Sequence, residues 1–239
     1  QANCVSGMES ICSAARHILV GEGELYIAGG TESMSNFPYL IRGPRSEKEL
    51  RSKDSVKENW AALWNNPKIE ITDCIEEGLS DPVKHIGMAA TAEVCAQMYS
   101  VPRDAQDQYA HGSYRKALDA ENAGFYDTHI YPVQKNNVTL LERDEYPFLR
   151  KNIADKPQML SKAPLMFGGA DFTMKMFFEK YGEFILGKKY IEGQTLPTLT
   201  LFNSCARSDG AAAVIVASEQ RAKDLRLDII AELKSLAFW

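Results

Sequence analysis

Five cysteines are the residues of this chain best able to do chemistry, and the first stands out by its surroundings. Cys4 lies in the sequence Asn-Cys-Val-Ser-Gly, directly before a segment with helical periodicity. A thiol at the start of a helix faces unpaired backbone N–H groups and the positive end of the helix dipole, both of which favour the thiolate. The same N–H groups can stabilise the oxyanion that forms when sulfur attacks a carbonyl. Cys4 is therefore a candidate nucleophile, although buried unreactive cysteines are the commoner kind.

The other cysteines and the histidines do not support a disulfide framework or a metal site. The cysteines are odd in number and widely spaced, and no Cys-x-x-Cys pair occurs. Disulfide frameworks belong to short secreted chains, and zinc sites need paired ligands at close spacing. The histidines show no ligand spacing either; the remaining residues of these two types are Cys12, Cys74, Cys95, Cys205, His17, His85, His111 and His129. We therefore expect reduced thiols in an intracellular protein, without a metal site.

The composition is that of a globular protein with an acidic balance. The chain has 239 residues, of which 45% are hydrophobic and 25% charged, and its net charge is −5. Nucleic-acid binding relies on a basic surface, and a membrane span needs about 18 unbroken apolar residues; the sequence offers neither. Residues 143–189 nevertheless carry nine Lys and Arg against six Asp and Glu. This basic stretch either holds a compact anionic ligand, such as a phosphorylated cofactor, or is a solvated face of mixed charge.

Hydrophobic periodicity predicts alternating helices and strands near both ends of the chain. A helix over residues 6–19, capped by Ser6, precedes a buried strand over 25–30, which is the order of an α/β core. Periodicity fades between residues 36 and 80, so we expect a long excursion there. Further helices are predicted at 88–98, at 100–124 with Ser100 as cap and Gly124 as end, at 172–185 and at 219–225. Further strands or extended segments are predicted at 127–134, 136–147, 198–203, 210–218 (a central strand) and 228–239.

Five segments of the sequence carry a resemblance to a known family. They are, in chain order, NCVSG before a helix, AGGTESMSNFPY (28–39), MAATAEVCAQMYSVPRDAQDQYA (88–110), KALDAENAGFYDTHIYPV (116–133) and TLTLFNSCARSDGAAAVIVAS (198–218). In this order they resemble motifs of the thiolase family, whose nucleophilic cysteine stands in a Cys-x-Ser-Gly sequence. One such match would be a weak signal, but five collinear matches across nearly the whole chain are a strong one.

The resemblance implies a fold and a division into domains. The implied fold class is α/β, with part of a thiolase-like fold: a layered α-β-α core and a large inserted loop domain. The implied domains are an N-terminal core (1–39), an inserted loop domain that binds CoA (40–197), a return to the core (198–225) and the start of a C-terminal domain (226–239). The basic stretch 143–189 falls within the inserted domain, which strengthens its interpretation as an anion-binding region.

The resemblance also implies an acyltransferase with assigned residues. Cys4 accepts the acyl group from a CoA thioester, in an enzyme that condenses two acetyl-CoA molecules or cleaves a 3-oxoacyl-CoA. Met88 lines the acyl pocket, and Tyr114 lies near CoA and a monovalent-cation site, as in the acetoacetyl-CoA branch. Ser204 and Cys205 contact the pantetheine arm of CoA. From the residues alone, Met88 and Tyr114 are equally interpretable as packed side chains, and Cys205 as a small filler.

Partners and location follow from the same resemblance. The substrate is a CoA thioester, and no resident cofactor is expected apart from an optional monovalent cation. The full-length protein is expected to form a homodimer or homotetramer in the cytoplasm, the mitochondrial matrix or the peroxisome. The resemblance implies no metal, nucleic acid or membrane span.

Two positions and one insertion depart from the family pattern. Gly87 and Met88 stand where many members have His-Met. Cys205 replaces a serine that would donate a better hydrogen bond, which weakens that expected contact with CoA. Residues 169–194 are much longer than the few residues usual there, so they form an insertion beside the expected ligand site.

The sequence also lacks motifs that the family carries in a C-terminal half. Asn-Glu-Ala-Phe, Gly-His-Pro and Cys-x-Gly-Gly sequences do not occur, and no strand–helix–strand segments precede Cys4. We expect an incomplete chain that does not turn over alone, because the base that activates the nucleophile belongs to those motifs. One alternative is a non-catalytic thiolase-like protein that binds acyl-CoA or lipid. Another is a truncated product that does not fold.

Overall fold

A computed structural model describes residues 2–237, excluding the side chain of Glu49, and the chain forms two compact units. The first unit comprises the residues up to Ser80 together with those from Arg207 onward, and the second comprises Asp81–Ala206. This division groups residues 40–80 with the N-terminal segment, whereas the sequence interpretation assigned them to the inserted domain. The bounds 1–39, 40–197, 198–225 and 226–239 stay a prediction.

The regular elements are short and mostly helical. The helices are α1 (Ser6–Leu19), α2 (Lys53–Glu58), α3 (Trp60–Leu63), α4 (Cys74–Gly78), α5 (Met88–Tyr99), α6 (Arg103–Asn122), α7 (Tyr146–Leu149), α8 (Lys151–Asp155), α9 (Met174–Tyr181) and α10 (Glu219–Asp224). The strands are β1 (Leu25–Glu32), β2 (Tyr39–Arg42), β3 (Glu70–Asp73), β4 (Val133–Lys135), β5 (Val138–Leu141) and β6 (Gly210–Ala217). Among the described residues, every helix is too short or too polar to cross a bilayer.

The first unit is built on the antiparallel pair β1–β6, with α1 packed on one face. Its core consists mainly of small side chains, those of Ala14, Ala15, Ala28 and Val216. The strand that was predicted to be buried at 25–30 is largely exposed, and Ala28 is its buried residue. The prediction of a central strand at 210–218 is likewise wrong within the described residues, because β6 pairs with β1 alone. Helix α1 covers a single face, so Ile27 and the Ile215 that faces it across the pair remain exposed.

The second unit has a larger core in which the insertion 169–194 packs on α5. Buried Ile86, Ala90 and Val94 of the α5 region meet the buried Met174, Phe177 and Ile185 of the insertion. The insertion supplies further partly buried aromatic rings around this core: Phe172, Phe178, Tyr181, Phe184 and Tyr190. The insertion is therefore a packing element for α5.

The structure corrects two predicted helix caps. Ser6 does not cap α1: its hydroxyl accepts a hydrogen bond from the Ala2 N–H at 2.8 Å, because a 3-10 turn over Asn3–Val5 runs directly into the helix. Ser100 does not cap α6: it is the left-handed residue (φ +55°) that ends α5, and Pro102 stands at the cap of α6. The short reversal between the two helices requires such a left-handed residue.

Two predicted strands do not form. In segment 198–203 only Thr200 makes a β-bridge, to Leu165, because the N–H groups of Thr198 and Leu199 donate to a side chain instead. Segment 228–237 has no strand partner among the described residues, and its anchor is Leu236, which packs against the α1 core. Phe238 and Trp239, the end of that predicted strand, lie outside the described residues.

Candidate active site

Cys4 lies in an exposed turn at the start of α1. It is the middle residue of the 3-10 turn Asn3–Val5, which the Val5 N–H closes by donating to the Ala2 carbonyl at 3.2 Å. The helix begins two residues later, and its first N–H group, that of Ser6, donates to the Asn3 carbonyl. The thiol therefore lies beside the first turn of α1. Cys4 therefore lies directly before the first helix, as the sequence predicts.

The start of α1 packs on β1 near Gly30, at a distance where a Cβ would make an ordinary van der Waals contact. A Cβ added at Gly30 of β1 would lie 3.6 Å from the Cα of Gly7 in α1. The polar side of the same helix start borders a cavity of about 250 Å³, lined by Ala2, Ser6, Glu9, Ser10 and Ser13. Cys4 is not among these lining residues, and its own accessibility follows from its exposure.

The loop that follows β1 is held by Asp209, a residue that the sequence analysis did not single out. Its carboxylate accepts hydrogen bonds from the Ser35 N–H at 2.8 Å, the Ser35 hydroxyl, and the Ser33 hydroxyl at 3.2 Å. The bonds from the Ser35 hydroxyl and N–H hold the pKa of Asp209 below its usual value. Asp209 is the aspartate of the Asp-Gly-Ala-Ala-Ala motif in segment 198–218, but a local motif does not predict a hydrogen-bond partner 174 residues away.

Tyr114 lies in an aromatic cluster with Tyr146 and Phe202, and the Arg150 guanidinium lies over the rings of those two neighbours. Its hydroxyl donates to the Phe202 carbonyl at 2.9 Å and lies 3.4 Å from the Tyr146 hydroxyl. The Arg150 guanidinium lies 5.2 Å from the ring centroids of both Tyr146 and Phe202, and its Nε donates to the Tyr146 hydroxyl. Burial, with the hydrogen bond to Tyr146, raises the pKa of Tyr114 far above its ordinary value, so the phenol stays neutral.

Ser204 and Cys205 come two and three residues after Phe202, whose carbonyl accepts from the Tyr114 hydroxyl. The Ser204 hydroxyl donates to the Thr200 carbonyl at 2.7 Å, and Cys205 is exposed. Met88 is the first residue of α5 and is 45% exposed, outside the buried core on which α5 packs. Tyr114 and Ser204 thus both donate to backbone carbonyls of residues 200–202, Cys205 follows Ser204 in the sequence, and Met88 lies at the start of α5.

Several cations of the basic stretch 143–189 are already engaged. Arg143 lies over the Phe148 ring, Lys151 pairs with Asp155, and the Lys188 ammonium donates to the Ser100 hydroxyl. Exposed cations of the same stretch are Lys156, Lys162, Lys175 and Lys189. Those exposed residues are the ones available to an anionic ligand.

A comparison with protein families and known proteins places these residues in context. The family described as "Thiolase, N-terminal domain" matches residues 1–156. An acetyl-CoA acetyltransferase of Cupriavidus necator is 32% identical over 238 residues, which are 98% of this chain and 49% of that protein. A mitochondrial acetyl-CoA acetyltransferase of Rattus norvegicus is 28% identical over 240 residues, 98% of this chain and 45% of that protein. The chain spans about half the length of the curated relatives it matches.

Solved structures show the same likeness in three dimensions. Human mitochondrial 3-ketoacyl-CoA thiolase in complex with CoA matches with a TM-score of 0.65 and 27% identity, over 94% of this chain and 45% of that one. The acetyl-CoA acetyltransferase of Bacillus anthracis matches with a TM-score of 0.67 and 28% identity, over 95% and 47% respectively. The predicted α/β fold class, with part of a thiolase-like fold, is confirmed.

Proposed function

Because the chain belongs to the thiolase family, we propose that the protein transfers acyl groups from CoA thioesters through an acyl-cysteine at Cys4. The observation that supports this most directly is the position of Cys4. It lies in an exposed turn at the start of α1, within the region that the family matches. The N–H groups of Val5 and Ser6 are paired within the turn, so an oxyanion would be stabilised by later N–H groups of the first helical turn, which lack a carbonyl partner in a helix.

The proposed step exchanges one thioester for another. The Cys4 thiolate attacks the thioester carbonyl, a bond forms between its Sγ and the acyl carbon, and the bond from that carbon to the CoA sulfur breaks. CoA leaves as a thiolate that takes up a proton from solvent. In condensation, C2 of a second acyl-CoA gives up a proton to a base and attacks the acyl carbon, and the bond from that carbon to Cys4 Sγ breaks. In cleavage, the Cys4 thiolate instead attacks the 3-oxo carbon of a 3-oxoacyl-CoA, the bond between that carbon and C2 breaks, and the departing acyl-CoA enolate takes up a proton. The acyl group then passes from Cys4 to the sulfur of CoA.

The relatives favour acetyl-CoA among the substrates. Two of the curated relatives described above are acetyl-CoA acetyltransferases. In the second unit, Ser204 and Cys205 would contact the pantetheine arm, Met88 would line the acyl pocket, and the exposed lysines of the basic stretch would bind the CoA phosphates. These four assignments rest on the motif resemblance and on the exposure of the lysines.

A stoichiometric acylation assay tests the proposal without requiring turnover. The 239-residue chain is incubated with acetyl-CoA and mapped by peptide mass spectrometry. We expect one acetyl group on the peptide that contains Cys4, released by hydroxylamine as thioesters are, and none in Cys4→Ala.

The control is Cys95→Ala, which removes another exposed thiol. We expect it to be acetylated at Cys4 as in the wild type. Acetylation of Cys95 or Cys205 ahead of Cys4 would contradict the assignment of the nucleophile. Binding of CoA without any acylation would instead support the non-catalytic alternative, a thiolase-like protein that binds acyl-CoA or lipid.

We propose that no resident cofactor is needed. A monovalent cation beside Tyr114 does not suit this arrangement, because the Arg150 guanidinium already supplies a positive charge next to the Tyr146 hydroxyl and the Phe202 ring. Equal CoA affinity in potassium and in sodium buffers is the expected result.

Assembly and location are proposed on the resemblance alone. We expect a homodimer or homotetramer for the full-length protein, which native mass spectrometry would measure. For location, the relatives include a mitochondrial protein of Rattus norvegicus and a cytosolic one of Gibberella zeae, so both compartments are candidates, with the peroxisome as a third.

A further inference from the structure

Glu93 is a fully buried carboxylate on α5, with an exposed fraction of 0%. One of its oxygens accepts from the Leu199 N–H at 2.8 Å, and the other from the Gln97 side-chain amide at 2.7 Å. Both oxygens also lie within 3.2 Å of the N–H and hydroxyl of Thr198. A buried charge is tolerated when donors surround it in this way, and removing its partners is costly.

The donors come mainly from one segment, residues 196–200, which lies far away in sequence. Gln97 donates to the Leu196 carbonyl at 2.8 Å as well as to Glu93, so α5 holds this segment at two points. On its other side, the segment has the single bridge between Thr200 and Leu165. The Glu93 carboxylate is therefore what takes up the N–H groups of Thr198 and Leu199, which a neighbouring strand would otherwise satisfy.

The fixed segment in turn fixes the residues that follow it. Asn203 closes a loop on Thr200: its side-chain oxygen accepts from the Thr200 N–H at 2.7 Å, and its own N–H donates to the Thr200 hydroxyl at 3.2 Å. The Asn203 amide also donates to the Thr198 carbonyl and to Asp107 of α6, each at 3.0 Å. Ser204 donates to the Thr200 carbonyl. An unbroken set of hydrogen bonds thus connects Glu93 to Ser204, the neighbour of Cys205.

We propose that Glu93 is a positioning residue, whose carboxylate holds residues 198–205 so that Ser204 and Cys205 meet the pantetheine arm of CoA. This inference rests on the proposed function for the identity of the ligand. Its structural part, the hold on residues 198–205, rests only on the contacts just described.

The geometry demands a carboxylate and not an amide. In Glu93→Gln, the new NH₂ group must face either the Leu199 N–H or the Gln97 amide, so a donor meets a donor. Rotating the Gln97 amide does not remove the conflict, because its oxygen would then face the Leu196 carbonyl. The volume of the side chain is unchanged, so the substitution isolates the hydrogen-bonding role.

The test compares Glu93→Gln with Glu179→Gln, the same change at an exposed site on α9. Hydrogen exchange is measured residue by residue, and the affinities for CoA and for adenosine 3′,5′-bisphosphate, which lacks the pantetheine arm, are measured by calorimetry. In Glu93→Gln we expect faster exchange at residues 198–205 with unchanged exchange in α6. We also expect CoA binding to weaken by about tenfold while bisphosphate binding changes by less than about twofold. Glu179→Gln should match the wild type in every measurement.

Each other outcome decides against one part of the inference. Wild-type exchange at residues 198–205 in Glu93→Gln would overturn the hold itself, and equal weakening of CoA and bisphosphate would overturn the role at the pantetheine arm. If the wild type binds neither ligand, the proposed function fails, while the exchange rates still decide whether Glu93 holds the segment. If Glu93→Gln does not melt cooperatively, Thr198→Val, which removes one hydroxyl donor and keeps both backbone donors, is measured instead. It should speed exchange at residues 198–205 alone, and unchanged exchange there would overturn the hold.

Discussion

The two compact units differ in what holds their functional residues. In the first unit, Cys4 stands on a helix whose core against the sheet consists of Ala14, Ala15, Ala28 and Val216. In the second unit, Ser204 and Cys205 follow a segment that is tied to a buried carboxylate, beside a core centred on the fully buried Phe177. The first unit thus presents its functional residue from a core whose buried side chains are small, with larger ones only partly buried around them. The second unit has an aromatic core and a polar network.

The two units should therefore respond to different substitutions. The small buried side chains of the first unit contribute little burial, since hydrophobic stabilisation scales with the apolar area removed from water. The aromatic core buries much more area, so its residues should dominate the stability of the second unit. Polar contacts in the second unit should then determine where Ser204 and Cys205 lie.

The largest expected effect is on the aromatic core. Phe177→Ala removes a side chain with an exposed fraction of 0%, and we expect it to lower the free energy of unfolding by about 3–5 kcal/mol, from lost burial and the cavity left behind. Urea denaturation followed by fluorescence measures this change. The matched control in the first unit is Ile27→Ala, at a side chain that is 77% exposed, which should change the free energy by less than about 0.5 kcal/mol. Equal losses in the two variants would break the contrast between the units.

A smaller effect is expected at the aromatic cluster of Tyr114. Tyr114→Phe removes the hydroxyl that donates to the Phe202 carbonyl, and the unsatisfied carbonyl should cost about 1 kcal/mol of unfolding free energy. Tyr109→Phe on the same helix is the control, because its side chain is 83% exposed and should tolerate the change. No difference between the two variants would show that the bond to Phe202 contributes nothing.

The smallest effect is expected in the first unit, at the loop held by Asp209. The pKa of Asp209 is lowered in the folded protein, so the carboxylate's contribution is complete above its unfolded pKa, near about 3.9, and is lost as the pH falls through the lower folded value. The protection factor of the Ser35 amide should therefore hold at mildly acidic pH and fall only below that range. In Asp209→Asn the protection should be weaker and flat across the same pH range. A fall at the ordinary carboxyl pKa in the wild type would contradict the lowered value.

Local patterns in the sequence predicted local structure well. Helix α1 follows from apolar spacing and α5 from an alanine-rich segment, and both form close to the predicted bounds. The predicted caps at Ser6 and Ser100 were wrong because each serine has another role. The Ser6 hydroxyl accepts from the Ala2 N–H, and Ser100 is the left-handed residue that ends α5. Such choices depend on the path of the neighbouring chain, which residue type alone does not determine.

Contacts between residues far apart in the sequence could not be predicted from local sequence patterns. Glu93 and its partner Thr198 are 105 residues apart, and nothing in the helical spacing of α5 distinguishes a buried carboxylate from a solvated one. The exposure of β1 depends on what packs on its second face, which the apolar content of the strand does not reveal. For the candidate site, Cys4 was accessible to physical argument, whereas the roles of Met88, Tyr114, Ser204 and Cys205 came from the motif resemblance and stay predictions.

The hydrogen bond from Ser204 to the Thr200 carbonyl determines which kind of hydrogen bond the Ser204 hydroxyl can make with a ligand. The Ser204 hydroxyl donates its proton to the Thr200 carbonyl oxygen at 2.7 Å, so it can only accept a hydrogen bond from a ligand. The thiol of the neighbouring Cys205 is a weak donor. A ligand group that binds to the Ser204 hydroxyl must therefore be a hydrogen-bond donor. An amide bound there would present its N–H and turn its carbonyl away, so the direction of an amide-containing arm would be set before any contact at its reactive end.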